Sequence, residues 1–512
     1  MNMKAFLLYR DRDFDPEEPL PANQAALIQD LELTILFGAM AGDDRFIRDI
    51  VTRIVLTSLR DSETILYRQA ILQDCLQNEP VVRGIYGLTT EFMERRRRSF
   101  WNFISRSPGS ILYNAVNLLQ LSVEFLKRLR RIADQHAGAF QSEAFTALFS
   151  MLQRELDDQY FATIQDHLQR LKFREGFLIS ANLGTGNKGT DYVLRKVNER
   201  GWWQTLYRAG QDWAGRIGAQ GGGVYTFHIH PRDEAGGRSL TELRDPGINL
   251  AANALGQSTD HILGFFNLLR TELAFYIGCS NLANRLRRKG EPICFPVPSS
   301  FEKRHFSCRG LYDPALSLTL DRQVVGNDVD ADDKDAVIIT GANQGGKSTF
   351  LRSVGQAQLM MQCGMFAPAE SFRANLCDAL FTHYKREEDP SMKSGKFDEE
   401  LSRMSEIADA LTANSTALFN ESFAATNDRE GSEIARQIVA ALLEKRIKVF
   451  FVTHLYDFAH GLYERRKADT ASLRAEREPD GRRSFKLIEG EPLQTSYGED
   501  LYREIFAGEP AG

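Results

Sequence analysis

Apolar positions in this sequence follow two spacings, and the switch between them divides the chain. From near Asn23 to about Arg170 they recur every three or four residues. Leu112, Val116, Leu119, Val123 and Leu126 place one apolar stripe along a helix, which predicts a packed bundle. The spacing returns in Ile262, Phe266, Leu269, Leu273 and Tyr276, so a second helical stretch is expected up to about Lys289. Between them, from Phe177 to about Leu243, glycine, threonine and alternating residues such as Gly221 to His230 predict a small β-rich insertion. Pro292, Pro296 and Pro298 then break the pattern. Beyond them, short apolar runs of strand length, Ala336–Thr340, Thr416–Phe419 and Val449–Thr453, alternate with helical patterns, as in an α/β domain.

The chemistry concentrates where the first of these runs ends. Gly341, Ala342, Asn343, Gln344, Gly345, Gly346, Lys347 and Ser348 fit G-x-x-x-x-G-K-S, with a helical pattern from Thr349 onward. The glycines let the backbone wrap an anion with its N–H groups inward, and the following helix adds its positive end. Lys347 is expected on the β and γ phosphates of ATP and Ser348 on Mg2+. The run Thr416–Phe419 leads into Asn420 and Glu421. In nucleotide hydrolases an Asp-Glu pair stands there, so Glu421 is the candidate general base, and Asn420 reaches the magnesium shell through a bound water without a negative charge. His454, after the third run, is placed to sense the γ-phosphate.

Bulk properties narrow the partners. At 512 residues, with 43% hydrophobic and 26% charged residues, the chain has material for several cores, and its net charge of -6 excludes nucleic-acid binding through overall charge. Local basic runs, Arg95 to Arg98 and Lys127, Arg128, Arg130 and Arg131, are solvated faces or candidate phosphate contacts. Six cysteines without C-x-x-C spacing indicate neither zinc nor a disulfide framework. With no export signal and no 18-residue apolar run, a cytoplasmic protein without a membrane partner is expected. Gly184 to Gly189 fits G-x-G-x-x-G but reads as a glycine-rich hairpin, and His228 and His230 read as a polar strand face with no third metal ligand beside them.

The sequence resembles the MutS family of mismatch-repair ATPases, whose loop reads GPNMGGKST where this chain has Gly341 to Thr349. The resemblance extends to Gly364–Ala369, Thr426 with Glu430-Gly431, Thr453-His454 and Ser496-Tyr497-Gly498, and upstream to Arg309–Pro314 and Val325–Asp328. It implies a multidomain protein: an α-helical core and first lever arm over 1–176, a β-rich clamp-like insertion over 177–245, a returning lever helix over 246–291 and an α/β P-loop (ABC-type) ATPase domain over 292–512. It also implies a composite site. The family's Ser-Thr-Phe element, which reaches the partner subunit's ATP, is here Ser394, Gly395, Lys396 and Phe397, with a lysine replacing the hydroxyl. Phe92-Met93-Glu94 fits the letters of the family's Phe-x-Glu mismatch wedge but lies inside a helical segment. No counterpart is expected for the family's separate N-terminal reader or its C-terminal helix-turn-helix, and so little mismatch specificity is expected.

The function expected from the resemblance is an ATP-dependent, homodimeric DNA-binding ATPase of repair or recombination. Two other readings keep the nucleotide site: a mechanical ATPase on structured RNA, a ribosome or a protein complex, and an ATP-binding switch with negligible turnover, which Asn420 motivates.

Overall fold

The computed structural model of the chain describes residues 3–99, 108–171, 178–183, 185–187, 189–195, 234–386, 395–477 and 483–494. Helices open it: α1 (Gln24–Asp30), α2 (Leu33–Ala41), α3 (Arg45–Leu56), α4 (Ser62–Gln77), α5 (Glu79–Ser99), α6 (Pro108–His136), α7 (Glu143–Glu155) and α8 (Asp158–Leu171). Several begin where a carboxylate takes up orphan backbone N–H groups: Asp44 accepts from Phe46 and Ile47, and Asp61 from Thr64. The stripe from Leu112 to Leu126 on α6 is buried as its spacing predicts. A hairpin follows, β1 (Leu178–Leu183) paired antiparallel with β2 (Gly189–Arg195), turning through Gly186 at φ 72°. Gly186 and Gly189 of the G-x-G-x-x-G letters thus fall on a hairpin, and Gly184 lies outside the described residues.

The next helix, α9 (Glu234–Arg288), corrects two expectations. It starts at Glu234, so residues 234–245, expected in the β-rich stretch, are helical. Residues 196–233, with His228 and His230, lie outside the described residues. The helix also holds a stretch, Arg244–Arg288, long and apolar enough by composition to cross a bilayer, contrary to the expectation that no such run exists; 72% of its apolar window is buried within the protein.

By compactness the chain divides into two units. One takes Met1–Lys4, Gly84–Ala137 and Ala147–Arg270; the other takes Ala5–Arg83, Gly138–Thr146 and Thr271–Gly512. In the first, Phe92 is fully buried against Phe125 and Phe266, at ring distances of 5.4 and 4.2 Å. It is a core residue, as its helical setting predicts. Arg95 pairs with Glu91 and Glu124, Arg128 with Glu91 and Arg130 with Asp134, so much of the two basic runs is neutralised within the protein.

The second unit carries two sheets. The remaining elements are β3 (Val297–Ser299), β4 (Phe306–Leu311), α10 (Pro314–Thr319), β5 (Asn327–Asp330), β6 (Ala336–Thr340), α11 (Lys347–Gln362), β7 (Ser371–Asn375), β8 (Leu380–Tyr384), α12 (Lys396–Ala410), β9 (Thr416–Asn420), α13 (Asp428–Glu444), β10 (Lys448–Val452), α14 (Tyr456–Arg465), β11 (Thr470–Arg477) and β12 (Arg483–Glu489). The larger sheet runs β12-β11-β6-β10-β9-β8, parallel except for β12; the smaller runs β3-β7-β4-β5. Strands β6 and β10 are buried along their whole length, the reason their sequences read as apolar runs, and β8 is equally buried although it carries Thr382 and His383. Against them pack Val439 and Leu442 of α13 and Phe458 of α14, with Phe419 stacked on Phe451 at 5.0 Å.

Residues 5–83, expected with the helical core, fold onto α11 instead. The buried Gln356 donates to the Leu31 carbonyl and Gln362 to that of Leu59, each leaving about 1–3 kcal/mol of desolvation uncompensated if its partner were lost. Arg68, 1% exposed, donates to the carbonyls of Leu8 and Cys363.

Candidate nucleotide site

The register of the large sheet brings the site together. Val452 of β10 lies beside Ile339 of β6 and Asn420 of β9, so the loops leaving these three parallel strands emerge at one edge. That carboxyl edge is where α/β sheets bind ligands.

The glycine loop leaves β6 with Gly341 at φ 110°, Gln344 at 58° and Gly346 at 85°. A Cβ on Gly341 would stand 2.8 Å from the Ala475 nitrogen, and one on Gly345 2.7 Å from the Ala475 Cβ. The glycines are therefore required by strand β11 lying over the loop, as well as by any anion inside it. Lys347 is 5% exposed and its Nζ donates to the Gly341 and Ala342 carbonyls at 3.0 and 2.8 Å. Burial, reinforced by the Arg483 charge and opposed by Glu421, pushes its pKa down to about 8.

Across the sheet edge, the Ser348 hydroxyl donates to Asn420 Oδ1 at 2.8 Å. These two hard oxygens fit a magnesium ion in kind, although neither carries charge. Glu421 follows at φ 54°, its N–H held by the Val452 carbonyl. His454 Nε2 donates to Glu421 Oε1 at 3.0 Å. That hydrogen bond holds the Glu421 carboxyl below its ordinary range against the opposing effect of burial, with Lys347 and Lys385 assisting. The arrangement offers a loop of N–H donors, a cation, two oxygen ligands and an ionised carboxylate with an oriented partner.

A cavity of about 490 Å3 is lined by Lys347, Ser348 and Glu421, with Asn420 and His454 outside its lining. Asn343 to Thr349 and Glu421 line one side, Leu316 and Val325 another, and Arg483 and Phe485 of β12 a third. Asn327 fixes that last wall, accepting from the Leu487 N–H at 2.7 Å. Asp313 caps α10 and pairs with Arg352 of α11, which also reaches Glu32. Sequence reasoning missed Arg483 and Phe485, since no periodicity announces that a charged strand near the end of the chain covers the loop. The expected grouping of Lys347, Ser348, Asn420, Glu421 and His454 is present. Of the elements expected at a partner's site, Gly395 and Lys396 start α12 and are exposed, neither lines this cavity, and Ser394 lies outside the described residues, as does Ser496-Tyr497-Gly498. Among the described residues no cluster of three or more metal-ligating side chains occurs, and all six cysteines are free thiols.

Fold and site define a protein of helices and mixed α/β sheets with a glycine loop at the sheet edge. The MutS2 N-terminal domain family matches residues 60–289, and the MutS domain V family matches 337–509. The DNA mismatch repair protein MutS of Prochlorococcus marinus (strain MIT 9301) is 30% identical over 170 residues, which are 33% of this chain and 19% of that protein. The proteins of the same name from Porphyromonas gingivalis (strain ATCC BAA-308 / W83) and Parabacteroides distasonis are 34% and 33% identical over 145 and 169 residues, covering 27% and 32% of this chain. The chain belongs to the MutS family, and these matches span 16% to 19% of the length of the relatives.

Proposed function

We propose that this chain is a MutS-type ATPase that binds ATP with Mg2+ at Gly341 to Thr349, hydrolyses it to ADP and phosphate, and couples the cycle to movement of a homodimer on duplex or branched DNA in repair or recombination. The observation that carries the reading is the meeting of the Ser348–Asn420 and Glu421–His454 pairs at the mouth of the glycine loop. Lys347 takes the β and γ phosphates, Ser348 ligates Mg2+ directly and Asn420 through a water, and Glu421 activates the attacking water while His454 keeps it ionised and faces the γ-phosphate. Ser394, Gly395 and Lys396 complete the site of a second copy. The stretch ahead of Glu234, with the β1–β2 hairpin, acts as the clamp and the flanking helices, α9 from Glu234 included, as levers, in the cytoplasm.

On DNA the proposal is phosphate and shape recognition with little preference for a mismatch. Supporting it, the aromatic of Phe92-Met93-Glu94 is locked in a core. Anisotropy titrations with matched duplex, G·T duplex, junction and RNA probes, with and without ATP, test it. Binding to DNA that weakens steeply with salt and responds to ATP is expected; preference for RNA sinks the DNA assignment, and a tenfold mismatch preference, about 1.4 kcal/mol, sinks the shape reading.

The neutral Asn420 favours a second reading, an ATP-binding switch with negligible turnover. Phosphate release by wild-type protein against Glu421→Gln separates the two.

A further inference from the structure

Behind Glu421 the chain makes a turn that two residues with side chains hold in left-handed conformation, Glu421 at φ 54° and Phe423 at φ 65°. Such angles disfavour any residue with a Cβ, so contacts must hold them. Those contacts converge from β8 and α12. Ser422 Oγ lies 2.6 Å from the His383 carbonyl and 2.7 Å from His383 Nδ1. His383 Nε2 is 3.1 Å from the Glu400 carbonyl, and Glu400 Oε1 accepts from the Phe423 N–H at 2.7 Å. The His383 ring stacks on Phe423 with centroids 5.4 Å apart and planes 21° off parallel. Ser422, His383 and Glu400 are 0%, 1% and 5% exposed. Ser422 is thus no nucleophile, since nothing outside reaches it.

The proton count makes this more than packing. Burial first, then the Arg403 charge, push the His383 pKa down to about 4, so the ring is neutral near pH 7 and carries one N–H. With the proton on Nε2, the ring donates to Glu400, and Nδ1 accepts the Ser422 hydroxyl. With the proton on Nδ1, the ring donates to Ser422, whose hydroxyl turns to the His383 carbonyl, and the bond to Glu400 is lost. A neutral ring therefore makes two of the three contacts at a time, and the position of Glu400 decides whether the Nε2 form is favoured. Glu400 lies on α12, which begins at Lys396.

We infer that His383 and Ser422 are a positioning pair for Glu421, a two-state brace that ties the turn carrying the carboxylate to helix α12 and so to the Gly395–Lys396 end of that helix. The inference rests on the ATPase reading and adds to it a path within one chain, from the segment proposed to meet a second copy to the general base. Displacement of α12 breaks the bond from Nε2 to the Glu400 carbonyl and favours the proton on Nδ1, so the Ser422 hydroxyl turns from the ring to the His383 carbonyl and the turn resets Glu421 relative to the glycine loop.

The test is a double-mutant cycle on full-length protein, read by single-turnover cleavage of labelled ATP, by ATP affinity and by thermal unfolding. His383→Gln retains a donor near Glu400 but loses the contact to Ser422; Ser422→Ala removes one hydroxyl and leaves the ring in place. Each is expected to lower the cleavage rate on the order of 10- to 100-fold, as a small misplacement of a reacting group does, with ATP affinity near wild type and an unfolding midpoint lowered modestly by the lost buried hydrogen bond. In the Glu421→Gln background the same substitutions should change the residual rate by less than about twofold, because they act through the lost carboxylate. Equal losses in both backgrounds, or cleavage at the wild-type rate in both variants, overturn the brace. Should His383→Gln fail to fold, Ser422→Ala carries the test alone. If wild type cleaves no faster than Glu421→Gln, the ATPase reading falls, and the brace with it.

Discussion

Ser348 and Asn420, 72 positions apart in sequence, are joined by a hydrogen bond of 2.8 Å between hydroxyl and amide oxygen. The contact sets two oxygens beside each other where a divalent cation bound to phosphate would need them. Without a carboxylate at this place, the amide oxygen accepts the serine proton and would offer only a dipole to such an ion.

Asn420→Asp restores the charge, and each added carboxylate strengthens a hard-cation site. The magnesium concentration giving half-maximal ATP binding is expected to fall roughly three- to tenfold, up to about 1.4 kcal/mol. Titration of Mg2+ at fixed ATP measures it; a rise would contradict the role given to Asn420.

Lys347 makes nucleotide affinity depend on pH. Its pKa in the free protein is about 8, and phosphate oxygens favour the charged amine, so binding draws a proton from solution once the pH passes 8. Affinity should fall by up to tenfold per pH unit above that point and be level below pH 7. Calorimetry in buffers of different ionisation heat reads the proton uptake directly. The same lowered pKa means that the folded protein binds fewer protons than the unfolded chain between about 8 and 10.5, so this group's unfavourable effect on stability fades as the pH rises through that window. Lys347→Ala should lose tight ATP binding at every pH.

For Glu421, replacement by Gln is expected to slow hydrolysis on the order of 10²- to 10⁴-fold, the contribution of a positioned general base. His454→Ala is the subtler probe. The hydrogen bond from His454 is the main influence lowering the Glu421 pKa, so without it the carboxylate takes up a proton at higher pH. The acid limb of the pH–rate profile should move upward. An unmoved limb would separate His454 from the base.

How much of this was legible in sequence differs by kind of feature. Runs such as Ala336–Thr340 and Val449–Thr453 reveal buried strands because their own composition encodes burial on both faces. The α6 and α9 stripes reveal helices for a similar local reason. Pairing is not local. Strand β12 mixes charged and apolar residues, and only its antiparallel register with β11 makes Arg483 and Phe485 walls of the cavity. Residues 5–83 look like any bundle helix until their carbonyls are seen to take hydrogen bonds from glutamines of α11. The start of α9 at Glu234 escaped because Gly236, Gly237 and Pro246 argue locally against a helix, yet the helix runs through all three.

Arg352 tests the buried end of that N-terminal wrapping. Its guanidinium pairs with Asp313, whose side chain has no exposed surface, and with the half-exposed Glu32. Arg352→Met leaves a buried carboxylate without its cation, expected to cost about 3–5 kcal/mol. Urea unfolding quantifies the loss; a change under about 1 kcal/mol would show that the charge was never taken out of water.

The bond from Gln356 to Leu31 spans 325 positions and carries a consequence for the order of synthesis. At about 5–20 residues per second, the helices around Leu31 leave the ribosome roughly 15 to 65 seconds before the helix they cover has been made. Leu31, whose side chain packs on Gly355 of that helix, lacks this native partner in that interval. Nascent chains stalled before residue 362 should therefore expose residues 5–83 to protease and recruit chaperones, whereas chains released at full length should protect them. Early protection of the stalled chains would mean that this segment folds on contacts of its own.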